Sequence, residues 1–342
     1  MPDERVNLVV DEFGSFLGLK SERIQVRKDR EVVREVPLFK LDQVLLLGRG
    51  ISLSTDLAFE CAERGIPIHV LTSLGKPVGM LVAAGLTGTV KTRREQLLAY
   101  ADGRGVRLGK AFALGKCLNQ VNLLKYMAKY RKTTDIARYQ EVRDAAIEID
   151  ALAEQVKRVE GRCIDEVRLT LMNLEGRAAQ IYWEAIGKLL VAEVEWVGRE
   201  HRGTEDVVNM ALNYGYGILY TQVEHALMLA GLDPYGGFVH VDRPGKPSLV
   251  LDAIEEFRQP VVDRTVFGML NKGTEVKVDE EGRLTPETRR LLAEKVLGRL
   301  AGTERYEGKK RTLKVILASQ AGHIAMFVRG ERETYQPFVA GW

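Results

Sequence analysis

Short apolar stretches separated by turns fill the first quarter of the chain: Val6–Val10, Phe16–Lys20, Ile24–Val26, Val32–Val36 and Val44–Leu47. Runs this short, bounded by Gly, Asp and Ser, predict strands. One helix interrupts them, Ser54–Arg64, with Ser52, Ser54 and Thr55 as capping candidates and Gly65 as the stop. Pro67–Leu71 and Pro77–Val82 read as two further strands. After the Gly-rich turn at Gly85–Gly88 and the basic run Lys91-Thr92-Arg93-Arg94, the periodicity becomes helical and stays so. The pattern therefore predicts an α+β chain. Its parts are a small, mostly-β N-terminal domain (1–90), a linker (91–103), a larger all-α domain (104–330) and a C-terminal tail (331–342).

The clearest helical seam runs through Ile164, Val167, Leu171, Leu174, Ala178, Ile181 and Ala185, with Glu175 one position off it. A second helix is predicted over Thr204–Ala230, ended by Gly231 and the Asp233-Pro234 turn. Gly236 and Gly237, with Pro244 and Pro247 beyond, keep His240 on a loop or extended segment. Ser248 is a candidate N-cap for the following helix, on which Asp252, Glu255 and Glu256 share one face.

Composition narrows the picture. Lys plus Arg (50) nearly balances Asp plus Glu (47), so nucleic-acid binding has to reside in local patches. Cys61, Cys117 and Cys163 are odd in number and widely spaced, which argues for free, buried thiols rather than disulfides or a zinc pair. No basic-then-apolar leader and no long apolar run is seen, so a soluble cytoplasmic protein without membrane contact is expected.

Three carboxylates so close to a histidine-bearing loop repel one another unless screened, which invites a metal reading, although a solvated helix face accounts for the acids alone. Longer motifs are more specific. Asn173-Leu174-Glu175-Gly176-Arg177-Ala178, Asn209-Met210-Ala211-Leu212-Asn213-Tyr214-Gly215-Tyr216-Gly217, Gly236-Gly237-Phe238-Val239-His240, Arg243-Pro244-Gly245-Lys246-Pro247-Ser248-Leu249 and Asp252-Ala253-Ile254-Glu255-Glu256-Phe257-Arg258 occur in that order. Together they resemble the CRISPR-associated protein 1 family, the integrases of spacer acquisition. Asn173 stands where that family often has Gly, and Lys246 where it often has Arg.

The resemblance implies that Glu175, His240 and Glu255 are both catalytic and metal-binding, holding Mn2+ or Mg2+; Asp252 is a direct ligand, a group behind the ligands or a DNA-facing acid. Carboxylate oxygens suit either ion, and one imidazole favours Mn2+. The implied reaction attacks a phosphodiester of the repeat array with a DNA 3′-hydroxyl, or with water in the hydrolysis of branched or linear DNA. The implied partners are double-stranded DNA (protospacer and repeat), a second copy joined through the β domain, and CRISPR-associated protein 2. Arg243, Lys246 and Arg258 are candidate phosphate contacts, with salt bridging as the plainer role. Two basic runs, Lys125/Lys129/Arg131/Lys132 and Lys309/Lys310/Arg311/Lys314, are further DNA-tracking candidates or solvated faces. His69, His201, His225 and His323 read as structural, and Tyr214, Tyr216 and Tyr235 as packing or DNA contacts. Gly215 and Gly217 suggest close helix packing, and the apolar tail Tyr335–Trp342 either docks or frays. A non-catalytic DNA-binding scaffold of the same fold is the alternative, and an unrelated metallohydrolase a third reading.

Overall fold

In the computed structural model, residues 5–85, 90–190, 196, 198–200 and 206–341 are described. The β domain consists of β1 (Val6–Val10), β2 (Phe16–Lys20), β3 (Arg23–Lys28), β4 (Glu31–Pro37), β5 (Leu41–Leu47), β6 (Ser52–Leu53), α1 (Thr55–Glu63), β7 (Ile68–Leu71) and β8 (Pro77–Leu81). β2, β3 and β4 form a meander closed by the two-residue loops 21–22 and 29–30. All four loop residues have positive φ, 47° to 68°, the twist that tight hairpins require. β6 pairs in parallel with β2 to complete this sheet. The second sheet has the order β1-β5-β7-β8, parallel except for β8. Ser54 caps α1 by accepting from the Leu57 N–H.

The unbroken Val44-Leu45-Leu46-Leu47 run reflects a strand buried on both faces. Val44 and Leu46 join Leu8, Val10, Leu17 and Ile24 in a small core, while Leu45 and Leu47 join Val9 and Leu71 in the main core of the helical domain. The β domain thus shares its second sheet with its neighbour. Across the junction Gln222 donates to Gln43 (2.7 Å), which within the sheet donates on to Asn7 (2.8 Å), and Arg290 pairs with Asp11 (2.7 Å). At Gly217 the close packing expected from the sequence involves a turn: any Cβ there would run into the Gly75 carbonyl oxygen.

The helical domain comprises α2 (Val90–Ala99), α3 (Gly103–Ala128), α4 (Arg131–Thr134), α5 (Ile136–Arg158), α6 (Ile164–Gly187), α7 (Val207–Leu229), α8 (Ser248–Ala253), α9 (Arg264–Leu270), α10 (Pro286–Ala301), a hairpin of β9 (Thr303–Tyr306) and β10 (Lys309–Thr312), and α11 (Leu313–Val328). The hairpin qualifies the all-α expectation. The expected linker 91–103 is occupied mostly by α2, whose buried Gln96 donates to the Asp233 and Gly236 carbonyls and accepts from the Asp233 N–H, all within 2.8 Å. That amide ties down the loop leading to His240. The expected helix over Thr204–Ala230 corresponds to α7, capped by Asp206; Thr204, like His201 and most of the Gly85–Gly88 turn, lies outside the described residues. Cys61 and Cys117 are buried and free, and Cys163 is half-buried. No helix among the described residues is long and apolar enough to cross a membrane.

Candidate metal centre

The single helix expected after Ser248 is broken. α8 ends at Ala253, a 3-10 turn carries Ile254–Glu256, and a π turn carries Arg258–Asp263 before α9 begins. Ser248 does not cap it: its N-cap position is Pro247, and the Ser248 hydroxyl is used by the loop instead, accepting from the Gly237 N–H (3.1 Å) and donating to the Tyr235 carbonyl (2.5 Å). The three carboxylates therefore do not share a face. Asp252, Glu255 and Glu256 are all buried and each meets different partners.

Asp252 accepts four hydrogen bonds. Its Oδ2 takes the N–H groups of Phe238 (2.6 Å) and Val239 (3.0 Å), and its Oδ1 takes the His240 N–H (2.9 Å) and imidazole Nδ1 (2.7 Å). The carboxylate is saturated by the loop that carries the histidine, and the imidazole is left with Nε2 for any other partner. Burial lowers the His240 pKa, but the hydrogen bond and charge of Asp252, with the fields of Glu255 and Glu175, outweigh it and leave the pKa above the ordinary histidine value.

Glu255 meets a residue that sequence reasoning did not find. Lys116, on α3, places Nζ 2.5 Å from Oε1 of Glu175 and 2.8 Å from Oε2 of Glu255. Arg258 adds a third charge, with Nε 2.9 Å from the other oxygen of Glu255 and its guanidinium 4.6 Å above the Tyr216 ring. Burial pushes Glu255 up, but Arg258, Lys116 and then His240 outweigh it and hold the carboxylate ionised, well below its ordinary pKa. Burial likewise disfavours the Lys116 ammonium, and the two glutamates more than restore it. Tyr216 and Tyr182 both donate to the buried Asp263, which fixes the π turn against α6 and α7. Tyr216 is thus a packing residue, whereas Tyr235 is exposed.

The structure brings Glu175, Glu255, His240 and Asp252 into one electrostatic cluster, with Asp252 behind the histidine. Among the described residues no three His, Cys, Asp or Glu side chains are gathered closely enough to hold a metal ion as they stand; the Lys116 ammonium occupies the point between the two glutamates. The donors nevertheless suit a divalent ion. Glu255 Oε2 is buried and faces only the Lys116 ammonium, 2.8 Å away, so a cation is the partner its setting provides for. Two carboxylates and an imidazole match the preferences of Mn2+, and such an ion would compete with the ammonium for the same oxygens.

The candidate phosphate contacts differ in setting. Arg243 is exposed and Lys246 half-buried, at the two ends of a turn closed by the Lys246 N–H to Arg243 carbonyl bond (2.9 Å) just after His240. Arg258 is engaged with Glu255 and Tyr216, the salt-bridging role. Of the two basic runs, Lys309, Lys310 and Arg311 form β10, and Lys314 pairs with Asp42. His69 is buried against His225, with ring centroids 5.9 Å apart. Burial pushes His69 down to about 3 and His225 down to about 4, so both are neutral structural groups at ordinary pH.

Comparison with known proteins adds to this geometry. The profile of a family described as CRISPR associated protein Cas1 matches residues 8–297. CRISPR-associated endonuclease Cas1 1 of Archaeoglobus fulgidus is 38% identical over 98% of this chain and 100% of its own length. Among solved structures, a casposase bound to its integration product superposes with a TM-score of 0.82 at 20% identity, covering 96% of this chain and 92% of that one. A chain of the Cas6-RT-Cas1–Cas2 complex matches with a TM-score of 0.75 at 20% identity, covering 98% of this chain and 36% of that one.

Proposed function

The chain belongs to the Cas1 family of CRISPR-associated endonucleases, and from that premise we propose that it cuts and joins DNA at a divalent-metal site held by Glu175, His240 and Glu255. The observation that carries this reading is the ionised, buried Glu255 carboxylate beside Glu175, in the field of an imidazole whose Nδ1 is fixed by Asp252. Asp252 is then an orienting residue behind the ligands, since its oxygens are already taken by four N–H groups. A bound Mn2+ or Mg2+ supplies Lewis-acid stabilisation of the scissile phosphate.

The chain's own groups do the rest. Glu175, Glu255 and His240 Nε2 would hold the ion once the two carboxylates release Lys116, and Lys116 and Arg258 supply positive charge at the site, where a phosphate gathers negative charge during displacement. Arg243 and Lys246 follow the histidine and serve as phosphate contacts that set the DNA's register. In joining, a DNA 3′-hydroxyl oxygen forms the new P–O bond as the bond to the leaving 3′-oxygen breaks, and the leaving oxygen takes up a proton. In hydrolysis water is the attacking group. No protein nucleophile is required. A Cas2 protein, a second copy of this chain docked through the β domain, and duplex protospacer and repeat DNA in the cytoplasm complete the reading; the Cas1–Cas2 complex among the structural neighbours supports the first of these.

The test is to incubate the protein with linear and branched duplexes in Mn2+, in EDTA, and in EDTA followed by excess Mn2+. Cleavage and strand-joined products are expected in the first and third conditions only. Products that survive chelation overturn the metal site. Binding without product under every divalent ion favours the scaffold reading.

A further inference from the structure

We propose that the C-terminal segment Tyr335–Ala340 is a positioning strap for the metal centre, holding Glu255 in place through its neighbour Glu256. The proposal rests on Glu255 being a metal ligand. The 3-10 turn that carries both glutamates has no continuous α-helical ladder, because α8 stops before it and a π turn follows. Its position is therefore set by side-chain contacts from outside. On one side Glu255 meets Lys116 and Arg258. On the other, Glu256 accepts from the Tyr335 hydroxyl (2.5 Å), the Phe338 N–H (2.8 Å) and the Gln320 amide (2.8 Å).

A single buried amide joins the two. Asn119 donates to the Glu256 carbonyl and to the Phe338 carbonyl, both at 2.9 Å, and accepts from the Ala340 N–H at 2.9 Å. Asn119 lies three residues after Lys116 on α3, so the helix that supplies the ammonium also clamps the turn and the strap. Phe338 stacks on Phe257, the residue after Glu256, with centroids 5.4 Å apart and planes 18° from parallel. The strap crosses α3 at Gly115, where a Cβ would come within 2.8 Å of Pro337 and 3.1 Å of Glu256. A segment whose only task was to cover apolar surface would not need to supply a buried carboxylate with two of its three donors.

Displacing the strap frees the turn to drift, and the expected loss is in metal affinity and turnover rather than in DNA binding. The experiment uses full-length Asn119→Ala and Tyr335→Phe, the latter keeping the ring and its packing. It measures Mn2+ affinity by EPR, kcat and KM for a duplex substrate, and thermal unfolding. Both variants are expected to fold, to keep the wild-type KM, and to bind Mn2+ more weakly with a matching fall in kcat, about tenfold for Asn119→Ala, the scale on which outer-sphere partners act. Folded variants with wild-type Mn2+ affinity overturn the strap, as does a change confined to KM. If Asn119→Ala fails to fold, Tyr335→Phe alone decides. Wild-type protein that binds no Mn2+ overturns the metal site itself, an outcome distinct from failure of the strap.

Discussion

Glu255→Gln is expected to lower DNA cleavage and strand joining by at least about a hundredfold, beyond the 10–100-fold typical of outer-sphere partners, because a ligand charge is removed directly. The shape is kept while the buried anion facing Lys116 and Arg258 is lost. Breaking a buried ion pair from one side costs about 3–5 kcal/mol, since the remaining charges stay in a poorly solvating site. Here the loss is moderated by Glu175, which still faces Lys116, and by Tyr216, which still lies under Arg258. The expected outcome is a folded protein with a lowered melting temperature, read by calorimetry, and Mn2+-dependent activity at background. Wild-type activity would remove Glu255 from the ligand set.

Asp252→Asn should be nearly as damaging for a different reason. An amide has one oxygen where the carboxylate has two, so its NH2 group would face N–H groups now held at 2.6–3.0 Å. Each buried donor left unpaired costs about 1–3 kcal/mol. The loop from Phe238 to His240 would loosen, and Mn2+ affinity is expected to fall about 10–100-fold as the imidazole loses its orientation. The pH profile gives a separate signature. A protonated imidazole cannot ligate metal, so activity is lost as pH falls through the His240 pKa. Burial lowers that pKa and Asp252 raises it, so in the metal-free protein the imidazole keeps its proton to a higher pH than an ordinary histidine, and Mn2+ has to displace that proton to bind. Removing the Asp252 charge moves the acid limb to lower pH in whatever activity remains. An acid limb that does not move would argue against His240 as the titrating ligand.

Much of the fold was legible because its local rules are strong. β1 and β2 have the expected ends, the Val44–Leu47 run is a doubly buried strand, Ser54 caps α1, and the seam from Ile164 to Ala185 is the buried face of α6 except that Tyr182 takes the fully buried place expected of Ile181. The course of Ala253–Asp263 was not legible from periodicity. Its break into 3-10 and π turns is set by tertiary partners: Lys116, the strap, and the tyrosines that meet Asp263. Pro260 was the local warning, since proline inside a helix removes one backbone hydrogen bond.

The candidate site shows the same division. Glu175 and His240 lie inside motifs that name themselves, whereas spacing alone placed Asp252 and Glu255 on one face and could not separate their roles. The backbone break separates them, sending Asp252 to the histidine loop and Glu255 to Lys116. Lys116 gave no motif, only a lysine between the buried Gly115 and Cys117 on a helix face that has to be covered. The tail was ambiguous because six apolar or aromatic residues fit docking and fraying equally well, and polar partners distant in sequence, Asn119, Asn122, Glu256 and Gln320, decide between them.

The most direct test is anomalous scattering from crystals of the protein grown with Mn2+. The predicted result is one peak bonded to carboxylate oxygens of Glu175 and Glu255 and to Nε2 of His240, with Lys116 displaced from between the glutamates and Asp252 still bonded to the histidine loop. A peak ligated by Asp252 in place of Glu255, or no peak while Lys116 keeps both carboxylates, would contradict the account.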